Sequence, residues 1–151
     1  MKPTNTLSDA LHVMAHLVGQ TAPRTSAQLA TCLPTHPVVI RRLLAQLQRA
    51  GLVRSERGHG GGSVLARPPA QITLLDIYRG IDSPPLIQIG AREGAVGCPI
   101  KQLVDTALHD GALEAQRLLE ARLGASTLAS LGAAFADHLQ LHTSHGVPHA
   151  N

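Results

Sequence analysis

Aromatic side chains are almost absent from these 151 residues: one Tyr, one Phe and no Trp. That composition argues against an aromatic-lined ligand pocket and against a base-stacking platform for single-stranded nucleic acid. Cysteine is scarce too. Cys32 and Cys98 are the whole supply, too few for a disulfide scaffold in a chain of this length. No apolar run reaches membrane-spanning length. The stretch from Met1 to Gly19 carries Asp9, His12 and His16 inside its apolar pattern, unlike the unbroken core of a signal peptide. A cytoplasmic protein with no membrane partner is expected. Catalytic groupings are missing as well. Asp9, Asp76 and Asp105 are scattered, no serine sits in a nucleophile elbow, and no carboxylate pair stands out. The chain reads as a non-enzyme.

Acidic residues are also short, but only in the front half. Residues 1–72 hold eight Lys/Arg against Asp9 and Glu56, a net of +6; residues 73–151 hold five against eight Asp/Glu, a net of −3. A basic front and a mildly acidic rear point to a polyanion met by the front alone.

What is plentiful is Ala, Leu, Val and Ile, and their spacing lays out a mainly α chain with a small β-hairpin. Leu7, Leu11, Met14, Ala15 and Val18 recur at helical spacing, with Thr6 or Ser8 as cap and Gly19 as stop. After a turn at Pro23, Ser26 is expected to cap a short second helix with Leu29 and Ala30 inward. A third helix runs from Pro37 to Ala50, Pro37 being well placed where its missing N–H costs nothing. Ile40, Leu43, Leu44 and Leu47 line one face of it; Arg41, Arg42, Gln46 and Arg49 line the other. Leu52–Glu56 and Ser63–Ala66 read as strands around the tip Arg57-Gly58-His59-Gly60-Gly61-Gly62. A helix over Ile72–Ile81 follows, then a loop. From Pro99 to Leu123 a stretch of about 25 residues, weakened in its middle by His109-Asp110-Gly111, would make a helix ~37 Å long, more than so small a domain covers by itself. Gly124 and Ser126 restart a last helix with Leu128, Leu131, Phe135 and Leu139. The expected division is a DNA-binding winged helix-turn-helix over 1–82, a connecting loop over 83–98, dimerisation helices over 99–141 and a disordered tail over 142–151.

A hairpin after a helix-turn-helix is a wing. In that arrangement the third helix enters the major groove, its N-terminal residues nearest the bases. Candidate contacts are Ser26, Thr35, His36, Val38, Val39, Arg41 and Arg42: Arg can donate two bonds to guanine, and Val can touch a thymine methyl. At the tip, Arg57, Gly58, His59, Gly60, Gly61 and Gly62 would bring backbone N–H groups to phosphate and a cation to the minor groove. The glycines match no nucleotide fingerprint, because no Gly-Lys-Ser/Thr end follows them and the next element is a strand.

The segments Pro37-Val38-Val39-Ile40-Arg41-Arg42-Leu43-Leu44, Ala50-Gly51-Leu52-Val53, Arg57-Gly58-His59-Gly60-Gly61-Gly62, Leu65-Ala66-Arg67-Pro68 and Ile72-Thr73-Leu74-Leu75-Asp76-Ile77-Tyr78-Arg79 resemble, in that order, the Rrf2 family of bacterial winged-helix regulators. That family includes an iron–sulfur cluster regulator, a nitric-oxide-sensitive repressor and a regulator of cysteine metabolism. The resemblance implies a homodimer built on the long rear helix, binding a pseudo-palindromic double-stranded DNA operator, usually as a repressor. Cluster-binding members resemble one another in three cysteines grouped in the loop and the start of the long helix. Here Ser83 to Ile100 supplies only Cys98, and clusters need several thiolates. No cofactor is expected, and the Cys98-Pro99 junction resembles a cluster-free branch.

Two sensing candidates remain. Cys98 falls where the long helix begins, and a helix N-terminus favours an anionic thiolate, so oxidation there would be felt by the dimer helices. Cys32 lies at the end of the second helix, where inert packing is the simpler role. His12/His16 and His138/His142 have the i, i+4 spacing that puts two imidazoles on one helix face. No Asp, Glu or Cys completes a recognisable set, so no metal site is assigned. The alternative to a regulator is a protein-interaction module that keeps a winged helix without specific DNA binding.

Overall fold

The computed structural model describes residues 6–31, 33, 35–87 and 98–134. Helix α1 spans Thr6–Leu17 and buries Ala10, Val13, Met14 and Leu17, an i, i+3, i+4, i+7 stripe. Gly19, at φ +70, turns the chain out of it. Helices α2 (Ser26–Ala30) and α3 (Pro37–Arg49) form the helix-turn-helix. The cap of α2 is Thr25 rather than Ser26: the Thr25 hydroxyl accepts from the Gln28 N–H while the Gln28 side chain accepts from the Thr25 N–H. This reciprocal box satisfies two orphan donors at once, and Ser26 is the first helical residue. Helix α3 is apolar on one side only, with Ile40, Leu43, Leu44 and Leu47 buried. It ends at Arg49, with Ala50 as C-cap and Gly51 at φ +70.

Strands β1 (Val53–Glu56) and β2 (Gly62–Leu65) pair antiparallel, Val53 opposite Leu65 and Glu56 opposite Gly62. Gly62 therefore belongs to a strand and not to the tip. Arg24 adds a one-residue third strand: its N–H donates to the Ser63 carbonyl at 3.0 Å and its carbonyl accepts from the Ser63 N–H at 2.8 Å. A Cβ on Gly62 would stand 2.6 Å from the Arg24 backbone, so this close pairing needs a residue without one.

A 3-10 turn at Pro69–Gln71 leads to helix α4, Leu74–Gly80, shorter than the sequence pattern predicts. Thr73 caps it with Asp76 as reciprocal partner, and Ile72 before it is extended and buried. Helix α5 then runs unbroken from Pro99 to Ala125. His109-Asp110-Gly111 does not interrupt it, and Gly124 lies inside it rather than restarting a helix. Gly124 faces Leu75, where a Cβ would come within 3.3 Å of the leucine side chain. At Ser126–Thr127 the chain reverses: Leu74 N–H donates to the Ser126 carbonyl at 2.9 Å, Leu128 N–H donates to the Ile72 carbonyl at 2.8 Å, and Thr73 bridges Thr127. Residues 128–134 are helical, with Leu128 fully buried in the core made by α1, α3 and α4. Phe135, Leu139 and the tail from His142 lie outside the described residues, as do Cys32 and the loop over 88–97. Among the described residues no helix is long and apolar enough to cross a membrane.

Candidate nucleic-acid interface

Burying one side of α3 leaves the other to solvent. Val38, Arg41, Arg42, Ala45 and Arg49 are exposed at positions separated by three or four residues, which is one outward stripe. Val39 borders it, also exposed. Among the described residues neither Arg41 nor Arg42 has a carboxylate partner: the ion pairs found are Arg54–Glu56 on β1 and Lys101–Asp105 on α5. Among the described residues the positive charge of the stripe is thus uncompensated. Gln46 departs from the sequence reading. Its amide donates to Asp82 Oδ2 at 2.8 Å, tying α3 to the end of α4.

His36 has a structural role at this end of α3. It is the N-cap, and its Nδ1 accepts from the Val38 N–H at 3.2 Å. Only Nε2 then remains to face outward. Thr35 is half-buried just before it. Ser26 is half-buried at the start of α2, so both bracket the stripe rather than lie on it.

The five tip residues of the wing divide by job. Arg57, Gly58, His59 and Gly60 are exposed; Gly58 (φ +106) and Gly60 (φ +82) have open space where a Cβ would go, so their role is conformational. Gly61 is half-buried, its N–H bonded to the Gly58 carbonyl at 3.0 Å, and a Cβ there would be 2.4 Å from the Glu56 carbonyl. Gly61 and Gly62 shape the hairpin; Arg57 and His59 present its polar surface. The wing is held to the reading helix by Ser55, whose hydroxyl donates to Gln48 Oε1 at 2.8 Å. Sequence reasoning misses that link, since nothing local signals it. It also misses Arg24, although the extended Pro23-Arg24-Thr25 ahead of a cap was a usable sign. The Arg24 guanidinium is folded back on Gln20 Oε1, at 3.2 Å from Nε and 2.7 Å from Nη2.

Away from this face, Cys98 is exposed as the N-cap of α5 and its side chain makes no capping hydrogen bond. Between Ile100 and Leu119, α5 carries Ile100, Leu103, Val104, Leu108, Leu113, Leu118 and Leu119 exposed, and no residue of α5 is buried. On α1, His12 and His16 stack with ring centroids 4.8 Å apart. Partial burial, then the neighbouring His12 and Arg24, hold His16 below the usual histidine pKa.

The family profile described as "Rrf2: Iron-dependent Transcriptional regulator" matches residues 4–134. YwnA of Bacillus subtilis, whose name places it among HTH-type transcriptional regulators, is 29% identical over 122 residues, 81% of this chain and 90% of its own. CymR (YrzC), the global cysteine regulator of B. subtilis, superposes with a TM-score of 0.59 at 25% identity over 89% of this chain and 98% of its own. IscR of T. potens shares the fold at a TM-score of 0.62 and 22% identity, over 100% of this chain and 93% of its own.

Proposed function

Because this chain belongs to the Rrf2 family of transcriptional regulators, not of enzymes, we propose that it binds a pseudo-palindromic duplex operator as a homodimer and represses transcription there. The observation that carries this reading is the uncompensated Arg41/Arg42 stripe on α3 beside the glycine wing. Val38, Val39, Arg41 and Arg42 would read base edges in the major groove, with His36 Nε2, Thr35 and Ser26 against the backbone that flanks them. Arg57 and His59, with the N–H groups of the tip glycines, would follow phosphate and the adjacent minor groove.

Support for a homodimer comes from α5. Its 27 residues extend about 40 Å, and its apolar stripe is left bare. Bare apolar surface of that extent marks an interaction site. Two heads joined through such a helix can match half-sites one helical turn, about 34 Å, apart. Selecting bound sequences from a random duplex pool tests the whole reading. The expected product is an inverted repeat, bound with an affinity that falls steeply with salt. Enrichment of no sequence, or of a single half-site without symmetry, overturns it and leaves a protein-interaction module.

The family description names iron, so the donor set matters. Among the described residues no group of three or more His, Cys, Asp or Glu could hold a metal, and the chain has two cysteines in all. A cluster needs several thiolates. These residues do not fit one, which favours the cluster-free reading. Regulation would then act through the Cys98 thiol, exposed at the start of α5. A peroxide would transfer one oxygen to its sulfur, giving the sulfenic acid and, from hydrogen peroxide, water. Operator binding by the Cys98→Ser variant should be indifferent to peroxide while the parent responds; an equal response in both removes Cys98 from the signal.

A further inference from the structure

We propose that His12 and His16 form a two-imidazole site for a late first-row divalent metal ion, Cu(II) or Ni(II) before Zn(II), at the cavity between α1 and residues 128–134. The pair is one helical turn apart, which stacks the rings on one face. Their Nε2 atoms stand 2.9 Å apart while the ring centroids are 4.8 Å apart at an interplanar angle of 30°. The rings therefore converge at the two nitrogens that metals use. An ion about 2.0–2.1 Å from each nitrogen would see them at an angle of about 90°. That is the cis angle of a tetragonal or octahedral ion and is narrower than a tetrahedron wants. Geometry thus ranks Cu(II) and Ni(II) above Zn(II), and the general affinity order puts Cu(II) first.

Space and chemistry agree with this. The cavity holds about 580 Å³ and is lined by Ser8, Leu11, Ala15, Leu131 and Ala134 besides the two histidines. Among the described lining residues none of these others supplies a nitrogen or carboxylate ligand, and in the proposed site water fills the positions they leave. In the metal-free pair one Nε2–H donates to the other Nε2. Binding moves that proton to Nδ1 of the same ring, freeing both Nε2 lone pairs with no net loss from neutral imidazoles. Any imidazolium present would release its proton to solvent. The Arg24 guanidinium acts electrostatically on His16 and opposes the cation, though it is folded onto Gln20. The site joins a helix of the reading head to the segment that follows α5, so an ion there would tie the two together. It requires neither cysteine nor DNA and stands apart from the operator reading.

The full chain carries other histidines, so the test uses His138, His142, His145 and His149 all replaced by alanine. In that background, calorimetric titration with Cu(II), Ni(II) and Zn(II) should give one ion per chain, in the affinity order Cu(II), Ni(II), Zn(II). Chelation by a second tethered ligand strengthens binding by about 100-fold or more. His12→Gln and His16→Gln should each lose that factor, while His109→Gln changes nothing. His12 is exposed, so its replacement leaves folding intact by circular dichroism. Absence of saturable binding in this background overturns the proposal, and so does full affinity in the His12→Gln protein.

Discussion

Leu103→Ala tests the proposed dimer helix separately from the rest of the fold. Leu103 is 72% exposed in the single chain, so in the proposed homodimer nearly three-quarters of its side chain would be buried against a partner. Covering a whole leucine contributes about 1.5–3 kcal/mol, which scales to about 1–2 kcal/mol for that fraction. A two-fold interface counts the change twice, giving about 2–4 kcal/mol per dimer. At 1.4 kcal/mol per decade the dissociation constant should rise about 30–700-fold. Alanine is the strongest helix former, and Leu103 is largely exposed within its own chain, so circular dichroism should be unchanged. Sedimentation velocity over a wide concentration range reads the shift directly. Identical sedimentation of parent and variant at every concentration, or a parent that is monomeric throughout, refutes the assignment of this stripe to a second copy.

Three further outcomes follow from particular contacts. Arg42→Ala should weaken operator binding by about 1–3 kcal/mol and relax preference at one base pair. Its melting temperature should hold because the side chain is exposed, with no carboxylate partner among the described residues; competition titration with single-base operator variants would detect unaltered preference and remove Arg42 from the contacts. Gly62→Ala should destabilise the fold by about 1–3 kcal/mol in urea, since the new Cβ meets the Arg24 backbone at 2.6 Å; an unchanged midpoint would mean the third-strand pairing gives way freely. Asp76 is held below its usual pKa first by the Thr73 backbone N–H, then by the Thr73 hydroxyl, Arg67 and Arg79, against partial burial. A depressed carboxylate stabilises above its unfolded value of 3.8 and loses that contribution as pH falls through the folded value. Acid unfolding below about pH 4 should therefore be shallower in Asp76→Asn, and superimposable curves would contradict it.

Much of the head was legible because local pattern and tertiary need coincide. The alternation of Ile40, Leu43, Leu44 and Leu47 with Arg41, Arg42 and Arg49 defines the buried and outward faces of α3, since any helix placed on a core must sort itself that way. Capping was less so. Thr25 and Ser26 are both good caps, and the decision rests on Gln28 standing three residues after Thr25, a spacing the sequence did contain. The tip glycines look alike in sequence. Only pairing with Glu56 and close approach of Arg24 separate Gly62 from Gly60. Long-range links leave no local trace at all: neither Gln46–Asp82, nor Gln48–Ser55, nor the pairing of Ile72–Leu74 with Ser126–Leu128 has any signature in spacing. Gly111 misled in the other direction. A single glycine within a helix costs only about 1 kcal/mol, which a 27-residue helix absorbs.

Those same links bear on how the proposed signal at Cys98 would reach DNA. The far end of α5 is fixed to the head: Ser126 and Leu128 bond to Leu74 and Ile72, α4 packs on α5, and Asp82 at the end of α4 holds Gln46 of α3. Cys98 is at the other end, about 40 Å along the helix, with no residue of α5 buried in its own subunit. Among the described residues nothing packed connects Cys98 to the reading helix except α5 itself, whose near end sits in solvent. On the proposed dimeric reading, oxidation there would alter the heads by changing how two copies of α5 lie together. Monomerising the protein with Leu103→Ala should therefore leave a weak half-site binder whose affinity is the same with reduced and peroxide-treated Cys98. Fluorescence anisotropy on a half-site duplex, at concentrations where the variant is monomeric, measures this. A thiol-dependent change that survives in the monomer would place the coupling inside the subunit and refute transmission through the dimer.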